Sequence, residues 1–196
     1  AVIRAIDGID VPRMAFLTGS PNGDRLAVSE HTNIKVYDIG TGKLLRSLEF
    51  GTAPRFISLD KDKKRAMVLV KNFEIHALDS WQVLGTVEPV ERPLVAAVSS
   101  DLTLVAYVGA GSGRLFVTET KTGKTIFSFE GFYADYATPI PVIPAAMSFS
   151  SDNTNIAVFT ASGLLKWANL TSKSITTRSP LELAETEMTG FKTGTH

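Results

Sequence analysis

Short runs of apolar residues recur along the chain, each beginning four residues after the Asn or Asp of a small polar turn. The runs are Leu26–Val28, Ala66–Val70, Val105–Val108 and Ile156–Phe159. The turns that precede them are Ser20–Asp24, Asp60–Lys64, Ser99–Thr103 and Ser150–Thr154. Asn22, Asp62, Asp101 and Asp152 are their equivalent positions. The interval is therefore about 40 residues twice, and about a dozen longer the third time, a period typical of repeat architectures. Asn and Asp suit such turns because their side chains bond the local backbone and tolerate a left-handed conformation. Each run is apolar at consecutive positions and rich in β-branched or aromatic residues. That pattern predicts a strand buried on both faces, so Leu26, Val28, Met67, Val68, Ala106, Tyr107, Ala157 and Val158 are expected in the core.

A second strand-like segment follows each run: Ile34–Asp38, Ile75–Asp79, Leu115–Glu119 and Leu165–Asn169. A tight polar turn comes next, as in Gly40–Lys43, Ser80–Gln82, Lys121–Lys124 and Thr171–Lys173. A last strand closes each unit, at Leu44–Leu48, Val83–Val87, Thr125–Phe129 and Ser174–Thr177. First strands such as Met14–Thr18 and Ala145–Phe149 precede the turns. No segment keeps a helical period over ten residues. Four short strands per repeat is the blade of a β-propeller. The expected fold class is all-β, a β-propeller of four-stranded antiparallel blades with four blades visible.

Ile34–Lys43 resembles the third strand and turn of a WD repeat, and Ser20–Asp24 resembles that family's first turn. The resemblance covers about residues 12–180. It departs from the family in lacking a Gly-His pair before the first strands, and Tyr37, Leu78, Thr118 and Ala168 stand where the family usually carries Trp. The resemblance implies blades at about 12–50, 54–89, 93–131 and 144–180, within a propeller segment 1–180. Residues 1–7 read as a strand of a neighbouring or closing blade, and 181–196 as a polar tail or a linker to a next blade. The family's usual blade number implies a parent ring of seven or eight blades. A closed four-blade ring and a half-ring that dimerises are the alternatives.

Composition narrows the function. Apolar residues are 44% of the chain and charged residues 20%, which is globular composition. Twenty basic residues balance twenty acidic ones. A general nucleic-acid binder needs a basic stripe and an acidic membrane surface attracts a basic one, so neither partner is expected. No stretch approaches eighteen uncharged apolar residues. The chain has no cysteine, which removes thiolate nucleophiles and Cys-based zinc sites and fits a reducing compartment, cytoplasmic or nuclear.

Candidate chemistry is sparse. Gly109–Arg114 has the glycines of a phosphate-cradling loop, but it joins two strands where a helix would have to follow, so it reads as a flexible hairpin. Asp60 and Asp62 begin like a calcium loop, yet Arg65 and Lys71 stand where Gly and Glu would be needed. His31, His76 and His196 are isolated. No catalytic residue, metal ligand or cofactor is expected. Asn169–Thr171 is a glycosylation sequon on a predicted turn, meaningful only in a secreted chain.

The longer third interval places an insertion at 132–143, with Phe132, Tyr133 and Tyr136 beside Pro139 and Pro141. Long connections are often functional, and Tyr and Phe are common interface anchors. Phe132, Tyr133, Asp135 and Tyr136 are therefore the candidate partner-binding residues, and the competing expectation is that the aromatics fill a gap beside a blade. The expected function is a non-enzymatic protein-protein interaction scaffold. Its partners are other proteins or the remaining blades of the same propeller. The alternative is a propeller enzyme, or a small-ligand propeller with its site at the central channel.

Overall fold

The computed structural model describes residues 14–62, 64–132 and 144–178. It is all-β, and no helix occurs among the described residues. The first sheet runs β1 (Met14–Gly19), β2 (Arg25–Glu30), β3 (Asn33–Asp38) and β4 (Leu44–Glu49). The second runs β5 (Phe56–Leu59), β6 (Arg65–Leu69), β7 (Phe73–Ala77) and β8 (Val83–Val87). The third holds β9 (Pro93–Val98), β10 (Leu104–Gly109), β11 (Leu115–Glu119) and β12 (Thr125–Phe129). The fourth holds β13 (Pro144–Phe149), β14 (Asn155–Thr160), β15 (Leu165–Asn169) and β16 (Ser174–Arg178). In every sheet the strand order is the chain order, so each is an antiparallel meander joined by tight turns, the blade of a β-propeller.

Among the described residues the chain divides into two compact units. The first holds everything up to Val90, with Val98–Val105 and Thr118–Lys124. The second holds Glu91–Ala97, Ala106–Val117 and the chain from Thr125 on.

The turn that opens each repeat explains why the markers recur. The Ser20, Ser99 and Ser150 hydroxyls accept the backbone N–H of Arg25 (3.0 Å), Leu104 (2.9 Å) and Asn155 (2.9 Å). Each serine also donates to a nearby aspartate, Asp24 at 2.9 Å, Asp101 at 2.7 Å and Asp152 at 2.6 Å. Three residues on from the serine the backbone enters the left-handed region, at Gly23 (φ 73°), Leu102 (φ 57°) and Asn153 (φ 60°). In the second sheet Asp60 takes the serine's place, its Oδ1 accepting the N–H of Lys64 at 2.8 Å and Arg65 at 3.0 Å. The repeat is thus written in backbone hydrogen bonds, and Ser or Asp serves equally because each offers an oxygen at one reach.

The last hairpin of each sheet repeats in the same way. Gly42 (φ 72°), Trp81 (φ 57°), Gly123 (φ 69°) and Lys173 (φ 56°) share its left-handed position. Asp38 Oδ1 caps the first of these turns, accepting from Thr41 N at 2.7 Å and Oγ1 at 2.8 Å. Asn169 Oδ1 does the same for Ser172, at 2.7 Å and 2.9 Å. Counting back from this position corrects one sequence alignment. The third strand of the second sheet is Phe73–Ala77, not Ile75–Asp79. His76, not Leu78, therefore matches Tyr37, Thr118 and Ala168. The sequence misplaced it because Ala77 sits where the other hairpins carry Asp38, Glu119 and Asn169, and Asp79 mimics that cap two residues late.

Of the expected core positions, Val28, Met67, Val68, Ala106, Tyr107 and Val158 are fully buried, while Leu26 and Ala157 are half-buried. Within the first unit the sheet faces meet through Ala27, Ile34 and Val36 on one side and Ile57, Leu59, Ala66 and Val68 on the other, with Phe50 and Trp81 packed alongside.

Candidate functional site

A concavity in the first unit opens where the turn before β6 approaches the hairpins that carry β4 and β8. It is a cleft of about 700 Å³, within the range of ligand sites. Three local features build it. Bulges interrupt the ladder between Val36 and Tyr37 and between Ile75 and His76, and the residues left unpaired on β4 and β8, Leu45 and Leu84, both line the cleft. A bulge re-aims a side chain that would otherwise follow the pleat. The Asp60 turn supplies Asp62, Lys64 and Arg65, and the uncapped hairpin supplies Leu78 and Asp79. Arg25 and Arg46 complete the charged lining.

Asp60 is the cleft's buried anchor, its side chain 1% exposed. Besides its two backbone donors it accepts Arg65 Nε at 3.0 Å. Arg65 Nη2 in turn donates to the carbonyl of Asp101 at 3.0 Å, still within the first unit. Arg46 is exposed, with Nη1 on the Leu45 carbonyl at 2.9 Å. Lys64, Asp62 and Asp79 are exposed. Besides the paired Asp60 and Arg65, the lining carries Arg25, Arg46 and Lys64 together with Asp62 and Asp79, beside the exposed Leu84.

The sequence candidates fall elsewhere. Phe132 is completely buried, in the second unit. Its N–H donates to the Gly113 carbonyl at 3.1 Å, and Lys166 Nζ lies 5.7 Å from the centre of its ring while bonding the Gly131 carbonyl. The ring lies beside β15 under Lys166 and is not presented to solvent. Burial also lowers the Lys166 ammonium below the usual lysine range. Tyr133, Asp135 and Tyr136 lie outside the described residues.

The glycine hairpin after β10 is more constrained than the sequence suggested. The N–H groups of Gly111 and Ser112 both donate to Glu91 Oε2, at 3.0 Å and 2.9 Å. Hydrogen bonds from the Ser112 side chain, then from the backbone of Ser112, hold the Glu91 carboxyl below its ordinary range. A Cβ at Gly109 would sit 2.5 Å from that carboxylate and 3.0 Å from the Phe116 ring. The anion these amides cradle is therefore the protein's own.

His76 is a packing residue. It is 3% exposed, its Nδ1 lies 3.1 Å from the Trp81 carbonyl and its Nε2 lies 3.0 Å from Glu74 Oε2. Its ring meets Phe50 and Trp81 edge-on. His31 occupies a turn with φ 52°. Among the described residues no group of three or more His, Asp or Glu is placed to hold a metal ion. The cleft itself escaped sequence reasoning, because its lining comes from segments up to about sixty residues apart, drawn together by two sheets. The dense basic run around Lys64 and Arg65 was its one visible trace. No protein-family model matches the chain, and no curated protein matches it.

Proposed function

We propose that this chain is a non-enzymatic binding module built on WD-repeat-like blades, and that the cleft in its first unit receives an extended, acidic and apolar segment of a partner protein. The observation that carries this is the pairing of bulge-displaced leucines with cations at one opening. Leu45 and Leu84 offer apolar contact, and Arg46 and Lys64 offer charge at its rim. The turns around it are closed by their own hydrogen bonds. A rigid site of this kind loses little entropy on binding, which favours recognition of a flexible segment. The reducing, cytoplasmic or nuclear setting expected from the sequence suits such a module.

Selection of displayed peptides against the purified chain tests the proposal. Enriched peptides should combine Asp or Glu with Leu, Ile or aromatic residues. Reversing the rim charges with Arg46→Glu plus Lys64→Glu should weaken them about tenfold or more, mostly through slower association, with a salt dependence that is lost or inverted. Absence of enrichment, or enrichment indifferent to the double variant, would overturn the proposal.

A further inference from the structure

The hairpin between β10 and β11 makes a contact that its counterpart in the first sheet makes with a shorter turn. Between β2 and β3 the turn is His31 and Thr32, and the Thr32 carbonyl accepts the N–H of Phe50 at 2.7 Å. In the third sheet residues 110–114 form the turn, and the Gly113 carbonyl accepts the N–H of Phe132. Gly109, Gly111 and Gly113 alternate through it, with Gly113 at φ 65°. Glycine loses more backbone freedom on ordering than any other residue. A turn this rich in glycine needs outside support to hold its last carbonyl in one place.

That support comes from the connection before β9. The Glu91 carboxylate takes the amides of Gly111 and Ser112, and the Arg92 carbonyl accepts the Ala110 N–H at 2.9 Å. Gly113 is tied into the same arrangement, its N–H on the Gly109 carbonyl at 3.0 Å. From there the fastening passes forward. The Arg114 guanidinium bonds the Glu130 carboxylate, and Phe132 hangs on Gly113. Lys166 on β15 bonds the Gly131 carbonyl and stands over the Phe132 ring. Residues 130–132 are thus held on one side by the hairpin and on the other by β15. All of these groups lie in the second unit.

We infer that Glu91 is a conformational latch: by closing the glycine hairpin it sets the seat of Phe132 and Lys166, and with them the point where the chain leaves the third sheet. A contiguous run of hydrogen bonds with one defined arrangement can carry such coupling, and coupling is reciprocal. Without the carboxylate the Gly111 and Ser112 amides lose their acceptor. The Gly113 carbonyl then has no fixed position, and Phe132 and Lys166 open to water together. This device uses none of the cleft residues and stands or falls apart from the proposed binding function.

Amide exchange with water and side-chain titration of Lys166, both read by nuclear magnetic resonance, test the latch. In Glu91→Ala the Phe132 amide should exchange about tenfold faster or more, alongside those of Gly111 and Ser112. The Lys166 ammonium, held low by burial, should move up toward the ordinary lysine range. Glu88→Ala, at an exposed carboxylate of the same connection, should change neither. Lys166 does not touch Glu91, so loss of the local contact alone would leave its titration where it was. Because coupling runs both ways, Lys166→Met should speed exchange at Gly111 and Ser112, a reading that stands even if Glu91→Ala fails to fold. Release of Gly111 and Ser112 in Glu91→Ala, with Phe132 and Lys166 behaving as in the wild type, would overturn the inference. So would Lys166→Met leaving the two hairpin amides unchanged.

Discussion

Asp60 is the point at which the repeat turn and the cleft coincide, and replacing it separates the two roles. Asp60→Ala removes the acceptor for the N–H groups of Lys64 and Arg65, and it strips the carboxylate from the Arg65 guanidinium. Each hydrogen bond to a charged group contributes about 1.5–3 kcal/mol, and breaking a fully buried pair costs about 3–5 kcal/mol. The Arg65 side chain is 37% exposed and can be rehydrated, so the ion-pair share must be discounted for solvent. The expected loss for Asp60→Ala is then about 3 kcal/mol, most of it from the two orphaned backbone donors. Asp60→Ser restores an oxygen at the position where Ser20, Ser99 and Ser150 close the other turns. It should recover about half of that loss, because those serines hold only the N–H five residues on, leaving about 1–1.5 kcal/mol for the Lys64 N–H and the missing contact to the Arg65 side chain. Urea denaturation of the three proteins, read by circular dichroism, measures both differences. If the serine variant were as unstable as the alanine one, the turns would not be equivalent and the account of the repeat would fail.

Other consequences are simpler to state. Met67 is completely buried, so Met67→Ala should destabilise by about 2–5 kcal/mol in the same melt. Lys173 holds φ 56° where Gly42 and Gly123 stand in sister hairpins; Lys173→Gly should raise stability by about 0.5–1 kcal/mol, less any loss of its contact over Phe127. Burial works against ionised Asp101, but hydrogen bonds from Ser99 and Thr103 outweigh it and lower its pKa, while bonds from Ser150 and then Thr154 lower Asp152. A depressed folded-state pKa adds stability above the unfolded value, about 4, which is lost as pH falls through the folded value. The melting temperature should therefore be level from neutral to about pH 5 and drop below about pH 4, and Asp101→Asn should flatten that drop.

Much of the fold was legible because its signals are local. Serine and aspartate turn markers close hydrogen bonds within five residues, and the doubly buried strands that follow show as unbroken apolar runs. Third strands were legible only where a capping residue marked their end, which is why Ala77 shifted one of them by two residues. The cleft was not legible. A bulge leaves no mark in a sequence that already alternates loosely, and Leu45 and Leu84 look like ordinary strand residues. The aromatic cluster after β12 pointed toward an interface by composition alone, but composition cannot tell Phe132, locked under Lys166, from a ring that faces solvent. The exposure of Phe159 and Trp167 on the fourth sheet was also hidden, since both read as core residues in any count of apolar positions.

The proposed role of the cleft is tested most directly by mapping a bound peptide residue by residue. An enriched acidic and apolar peptide would be titrated into isotope-labelled protein and backbone amide shifts followed by nuclear magnetic resonance. The account predicts the largest shifts at Leu45, Arg46, Lys64, Arg65, Asp79 and Leu84, with the fourth sheet unmoved. Saturable shifts confined to other residues, with these six unchanged, would contradict it.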